Sequence, residues 1–384
     1  MDKSPWYRTY VPDSTPAPPQ TRSGTSKRKI SWDVVRAGCV LLVMIYHSTF
    51  LSVFLHPELA ERPIRFPYQV GASMLLVISA YFACVTIGRG GLLRYWWGRM
   101  ARLFPPFVGA VLLVFGVMHL AAIEGWFLPT WQDLLSNLAM LWNWKPDDYF
   151  FIDGSHWTVP LQLMGFTAAA LLFKSKLGHG TAIRVVLWVA VIVPILQWPI
   201  RTGGAPEAYR MITDGIGMHR WHLFVVGVAI WLWSTRRIGW GHFAALLAAC
   251  MVGQCLHNYA ETPEGLVADW GSTFGVCLGM LVVAVTAYGP DWNRVVPEWV
   301  GRRVTWFAGI SYGVFLVHQT IGYIVSRTLQ DLGAGPMLQV LAMLTTGIVL
   351  GWALTRAVER PMHTFLMNSF DRLSARHTIG ARQG

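Results

Sequence analysis

The sequence predicts an all-α protein, a polytopic bundle of about ten transmembrane helices with both termini in the cytoplasm. Three observations carry this. Of 384 residues, 54% are apolar and 13% charged, against about 25% charged in ordinary soluble domains, and the mean hydropathy is +0.41. The apolar residues fall in runs near 20 residues long, the length that crosses a hydrocarbon core of roughly 30 Å at 1.5 Å per residue. The basic residues alternate between the loops in a regular way.

The expected spans are 34–55, 69–88, 104–123, 156–173, 182–200, 219–235, 241–258, 269–288, 305–325 and 337–357. The third (FPPFVGAVLLVFGVMHLAAI) and tenth (MLQVLAMLTTGIVLGWALTRAV) are the most uniformly apolar, whereas the fourth opens on the polar stretch SHWTVPLQ. Segment 131–144 (WQDLLSNLAMLWNW) is apolar but too short to cross, so it reads as a re-entrant or interfacial piece.

Orientation follows from Lys and Arg. With the N-terminus inside and ten alternating spans, 24 of the 31 basic residues lie inside. The seven outside are Arg62, Arg65, Lys145, Arg201, Arg210, Arg220 and Arg327, and 13 of the 20 acids join them there. The net charge of +11 is thereby a topology signal at a plasma membrane, not a footprint for nucleic acid, and no nucleic-acid partner is expected.

Residues 1–30 hold five Pro and the cluster Lys27-Arg28-Lys29 without apolar periodicity, and read as a disordered basic cytosolic tail. Residues 31–365 form the membrane domain and 366–384 a second basic cytosolic tail. Cys39, Cys84, Cys250, Cys255 and Cys277 sit in or beside spans without CxxC spacing, so neither a disulfide frame nor a metal site is expected. There is no internal repeat and no phosphate-binding glycine motif.

Function must come from polar groups that lipid makes costly. In WDVVRAGCVLLVMIYHS, Arg36 and His47 are 11 residues apart, close to three turns, so they share a face and differ in depth by about 16 Å. A snorkelling Arg and a packed His would each be ordinary alone; the pair on one apolar helix is not. The inner loop RGGLLRYWWGRMARLFPP places Arg99 and Arg102 three apart, beside Arg89, Arg94 and three aromatics. Positive-inside bias explains the charges, but guanidinium groups also bind phosphates and stack on rings. The outer segment FIDGSHWTVPLQLMGF gathers Asp153, Ser155, His156, Thr158 and Gln162. In FAGISYGVFLVHQTIGY, Ser311 and His318 are two turns apart on one face, and in TRAVERP Glu359 stands between Arg356 and Arg360, a pattern that suits a structural ion-pair network.

These segments, in this order, resemble acyltransferase family 3, multi-pass O-acyltransferases that modify sugars, cell-wall glycans and antibiotics. Arg, ten residues, then His is matched by Arg36 and His47; the phrase FFVISGFL by LLVISAYF with Ser79; Arg-x-x-Arg before Pro by Arg99, Arg102 and Pro105. A Trp-Ser-Leu-x-x-Glu phrase is matched loosely by Trp157, Thr158, Val159 and Gln162. SYxxYLxH is matched by Ser311, Tyr312, Phe315, Leu316 and His318, and ERP by 359–361. The resemblance covers roughly residues 30–365. Two departures stand out: Gln162 replaces the family's Glu, and Ala80 its Gly. Gln cannot carry a proton or orient an imidazole by charge, so Asp153 or His318 is expected to stand in.

The resemblance implies acyl transfer from a cytosolic acyl-coenzyme A, used as co-substrate with no bound cofactor, to a hydroxyl on a sugar-containing acceptor: an envelope glycan, glycolipid or natural product. It assigns catalysis to His47, with His318 second, and donor binding to Arg36, Arg99 and Arg102. Ser79, Trp157, Gln162, Ser311, Tyr312 and Glu359 support the site. Membrane lipid surrounds it. Two other classes were weighed: a transporter or flippase for an anionic lipid or sugar phosphate, which should show broken helices in paired halves, and a non-catalytic scaffold, which needs no buried histidines.

Overall fold

The computed structural model describes residues 29–89, 91–145, 148–262 and 265–383. The expected N-terminal tail lies almost wholly outside the described residues. Every segment expected to cross the membrane lies on helix. In chain order the helices are α1 (Ile30–Tyr46), α2 (Ser52–Leu55), α3 (Gly71–Ile87), α4 (Leu92–Ala121), α5 (Trp131–Leu138), α6 (Thr158–Lys174), α7 (Gly180–Thr202), α8 (Glu207–Gly215), α9 (Trp221–Ser234), α10 (Trp240–His257), α11 (Trp270–Tyr288), α12 (Glu298–Val317), α13 (Thr320–Asp331), α14 (Pro336–Leu354) and α15 (Arg360–Gln383).

By length and composition, five helices among the described residues could cross a membrane alone, or up to seven if each of two bent helix pairs is one span. Shorter apolar helices such as α3 fall below that length.

Two apolar cores divide the bundle. One joins α3, α7, α9, α10 and α11 around Leu76, Leu223, Ile230, Phe243 and Met280. The other joins α4, α6, α12 and α13 around Phe107, Val111, Val159, Leu316 and Ile321. Helix α1 runs between them, its Val40 and Met44 against Ile310 and Val314 of α12 and its Val43 against Ala72 of α3. Lipid supplies no hydrophobic drive between helices, so close approach through small residues does the work. A Cβ on Gly227 of α9 would collide with the Val77 carbonyl and the Ala80 methyl of α3. Gly227 therefore supplies the room that Ala80, the departure from the family's Gly, takes up.

At four places the structure departs from a simple alternation of spans and loops. The inner loop at 89–102 is helix from Leu92 onward: α4 has 30 residues with Pro105 and Pro106 inside it, about 45 Å, longer than the hydrocarbon is thick. Its aromatics are docked, Trp96 Nε1 donating to Thr167 Oγ1 at 2.9 Å and Trp97 Nε1 to the Leu366 carbonyl at 3.1 Å. Residues 366–383, expected as a tail, continue α15, which Arg94 grips through Asp371 at 2.9 Å. The span expected at 305–325 is broken: α12 and α13 meet at His318–Gln319 with a bend of 73°. And a two-stranded antiparallel hairpin, Tyr259–Thr262 with Gly265–Ala268, interrupts an otherwise helical chain. Segment 131–144 is short as expected, an eight-residue helix begun by a Thr130–Asp133 capping box.

Candidate active site

His47 ends the regular part of α1 and opens a π-helical turn, His47–Leu51. Such turns are rare and recur at functional sites because they re-aim one side chain. The ring is 6% exposed. His318 sits where α12 stops, and the break frees it from a regular helix face. The two histidines meet: His318 Nε2 lies 2.9 Å from His47 Nδ1, with ring planes 6° apart.

The neighbours fix the protons. His318 Nδ1 lies 3.0 Å from the Phe315 carbonyl and 3.2 Å from that of Val314. Carbonyl oxygens only accept, so Nδ1 carries the proton and, in the neutral ring, Nε2 is the acceptor. His47 Nδ1 must then donate. In a neutral His47 ring Nε2 is then the nitrogen that keeps its lone pair. The ring lines a small cavity with Tyr46, Gln69, Ser155, Trp157 and Phe315, whose volume of about 10 Å³ accommodates roughly one water molecule.

Asp153, wholly buried, anchors the outer wall. Its Oδ1 accepts from Ser155 N at 2.9 Å and Ser155 Oγ at 2.6 Å, its Oδ2 from Thr320 N at 3.1 Å. It thus caps the broken helix one residue past Gln319 and places a negative charge close enough to act on His318. A polar clasp holds the approach to it: Asn137 Nδ2 donates to the Phe150 carbonyl at 2.8 Å, and Ile152 N to Asn137 Oδ1 at 3.2 Å. His156 is buried beside it, donating from Nε2 to the Leu316 carbonyl at 2.8 Å.

Other expected residues are placed differently. Gln162 does not reach the histidines: Ser79 Oγ donates to its Oε1 at 3.3 Å, and its Nε2 to Thr158 Oγ1 at 3.5 Å, a link between α3 and α6. The buried carboxylate near His318 is Asp153. Ser311 shares no contact with His318; its hydroxyl donates to the Ala308 carbonyl at 2.9 Å. Tyr312 donates to the Leu103 carbonyl at 2.9 Å, tying α12 to α4. Trp157 lines the cavity and carries the Arg220 guanidinium 5.4 Å from its ring centre.

At the other end of α1, Arg36 lies over Phe82 at 5.7 Å. Arg102 Nε pairs with Glu359 Oε1 at 3.6 Å, Thr355 Oγ1 donates to Glu359 Oε2 at 3.2 Å, and Arg36 and Arg360 are further cationic neighbours of that carboxylate. Arg356, expected in this network, is exposed instead. The π-turn Thr355–Glu359 rotates Glu359 inward toward Arg102. Arg99 and Arg102 do not act as one fork. Arg99 is turned inward, donating to the Phe82 carbonyl at 3.0 Å and to Thr86 Oγ1 at 2.5 Å, under the Phe166 ring at 4.9 Å. Arg102 is 49% exposed.

Two features the sequence did not reveal matter most: the His47–His318 contact, which is tertiary, and the helix break. Val317-His318-Gln319-Thr320 contains neither Gly nor Pro, so no local breaker marks it.

Apolar helices of membrane-spanning length around a buried pair of hydrogen-bonded histidines define a helical membrane protein with a polar centre. A family model described as an acyltransferase domain matches residues 29–356, and the chain belongs to that family, acyltransferase family 3. It matches no curated protein and no solved structure.

Proposed function

We propose that the protein is a membrane O-acyltransferase that moves an acyl group from cytosolic acyl-coenzyme A to a hydroxyl of a sugar-containing acceptor, with His47 as general base. The observation that carries it is the hydrogen bond between the two histidines, which leaves His47 Nε2 unprotonated. The acceptor oxygen attacks the thioester carbonyl while its proton passes to Nε2. The C–S bond then breaks, and the leaving thiolate takes the proton from the imidazolium, giving ester and free coenzyme A. Throughout, Nδ1–H stays on His318, and Asp153 offsets the transient positive charge.

The basic-residue bias supports a plasma-membrane orientation with both termini in the cytoplasm. This puts the Arg36–Arg102–Glu359–Arg360 cluster on the donor side and Asp153 on the far side of His47. Arg102 is the exposed guanidinium best placed to meet a donor phosphate, and Arg36 lines the start of a descent of about 16 Å along α1 to His47. The slender pantetheine arm has the reach for that distance.

The two bent helix pairs are the feature a transporter or flippase would share, and one experiment separates the readings. Envelope and secreted metabolites from cells carrying the wild-type gene or His47→Ala are compared by mass spectrometry. An acceptor heavier by one acyl group in wild type only supports acyl transfer. Unmodified acceptor relocated across the membrane, with no mass difference, overturns it.

A further inference from the structure

A second set of buried polar groups lies between α7, α9 and α10, apart from the paired histidines. His222 is 2% exposed and Gln254 fully buried, and His222 Nε2 donates to Gln254 Oε1 at 2.8 Å. This leaves His222 Nδ1 with a bare lone pair and Gln254 Nε2 with its hydrogens unused, and neither atom has a partner among the described residues. His257 repeats the pattern: Nε2 donates to the Pro194 carbonyl at 3.0 Å and Nδ1 is left unpartnered.

Arg220 stands at the turn that leads into α9, two residues before His222. Its Nε is enclosed without a hydrogen-bond partner, and no carboxylate among the described residues pairs with it. The carboxylate of this neighbourhood, Asp214, is already held by Arg201 Nε at 3.0 Å and faces His219 Nδ1 at 3.5 Å. Asp214 therefore answers Arg201 and leaves Arg220 without an anion. A desolvated, unpaired cation is costly, and the Trp157 face beneath Arg220 offsets only part of that cost. The arrangement lacks one negative charge and offers an amide donor and two imidazole acceptors. In the proposed orientation Arg201 and Arg220 lie on the outer side, where only seven of the 31 basic residues are found, so insertion does not call for them.

We infer that Arg220, His222, Gln254 and His257 form a subsite for an acidic group, carboxylate or phosphate, on the hydroxyl-bearing acceptor. Arg220 pairs with the anion, Gln254 donates to it, and the bare imidazole nitrogens accept from adjacent hydroxyls. Trp157 joins the subsite to the reaction: one part of it walls the cavity beside His47 while its ring supports Arg220. An acceptor anchored at Arg220 extends past that indole toward His47. The assignment to the acceptor rests on the proposed acyl transfer; the anion site itself does not.

The test uses purified full-length protein in phosphatidylcholine nanodiscs, titrated with glucuronate, inorganic phosphate, glucose or sodium chloride at matched ionic strength. Tryptophan fluorescence and thermal melting report binding. Glucuronate and phosphate are expected to bind and glucose and chloride not, with affinity at least tenfold weaker in Arg220→Gln. Arg220→Lys keeps the charge and serves as the second variant if Arg220→Gln does not fold; loss of the guanidinium fork again weakens binding. His47→Ala is expected to retain the response, which separates failure of the subsite from failure of the reaction. No response to either anion, or an equal response in both Arg220 variants, overturns the subsite. Competition by phosphatidylglycerol added to the discs makes the occupant a lipid headgroup and overturns its assignment to the acceptor.

Discussion

His47 Nδ1 and His318 Nε2 face each other at 2.9 Å, and the direction of that hydrogen bond decides which nitrogen of the site can work. Because two main-chain carbonyls claim His318 Nδ1, the proton on His47 is held at Nδ1 and the opposite nitrogen stays basic. In the proposed mechanism His318 is thus a positioning residue that stabilises the imidazolium formed on His47.

His47→Ala should lower acyl transfer by about 10²–10⁴-fold, the usual contribution of a general base. His318→Ala should lower kcat while leaving donor KM close to wild type. In His318→Gln an amide oxygen can replace the lost acceptor, so activity should partly return. Rates at saturating donor check all three; wild-type activity in His47→Ala would make the histidine structural.

Asp153→Asn keeps the shape of the side chain and removes its charge. The new amide nitrogen cannot accept, so either the Ser155 groups or Thr320 N loses a buried partner, at a cost of about 1–3 kcal/mol. A lower melting temperature together with a lower kcat is expected. A stability loss with unchanged kcat would confine Asp153 to holding the break between α12 and α13.

At the donor end, Arg102→Lys should raise KM for acyl-coenzyme A at nearly constant kcat, reflecting roughly 1–3 kcal/mol of lost charge-assisted bonding. An acyl-pantetheine, which lacks the nucleotide, should be insensitive to the change. Arg99→Lys should behave differently, since Arg99 is already committed to Phe82 and Thr86: its signature is lost stability. Equal effects of Arg102→Lys on both donors would make that arginine a structural partner of Glu359.

Topology is checked by cysteine labelling in a background without the five native cysteines. Asp148→Cys, at an exposed position, should react with an impermeant thiol reagent added outside, and Arg237→Cys should not. Reversal at either position would overturn the orientation.

Hydropathy alone located most of the helices to within a few residues: 69–88 became Gly71–Ile87, 241–258 became Trp240–His257, and 269–288 became Trp270–Tyr288. These segments are mostly apolar and are bounded by polar or small residues, so their boundaries are local. The stretch before Pro105 misled because Arg and Trp alternate there on a helix that rises beyond the apolar layer and is stabilised by docking against α15. Arg36 and His47 were visible because their spacing lies within one helix. Their partners were not, because the π-turns at His47 and Thr355 and the break at His318 depend on contacts between distant helices. The weak polar opening of the fourth span proved to be the segment that supplies Asp153 and Ser155.

The cavity beside His47, tight enough to hold about one water, bears on a hazard that any such enzyme faces. Water is itself an acceptor, and a base poised next to bulk solvent would hydrolyse thioester as readily as transfer it. A space this small leaves room for a competing nucleophile only while the donor is away. The arriving acyl carbonyl must expel that water to come within reach of His47. In the proposed acyl transfer, that exclusion by the walls of Trp157 and Phe315 is what would favour transfer over hydrolysis.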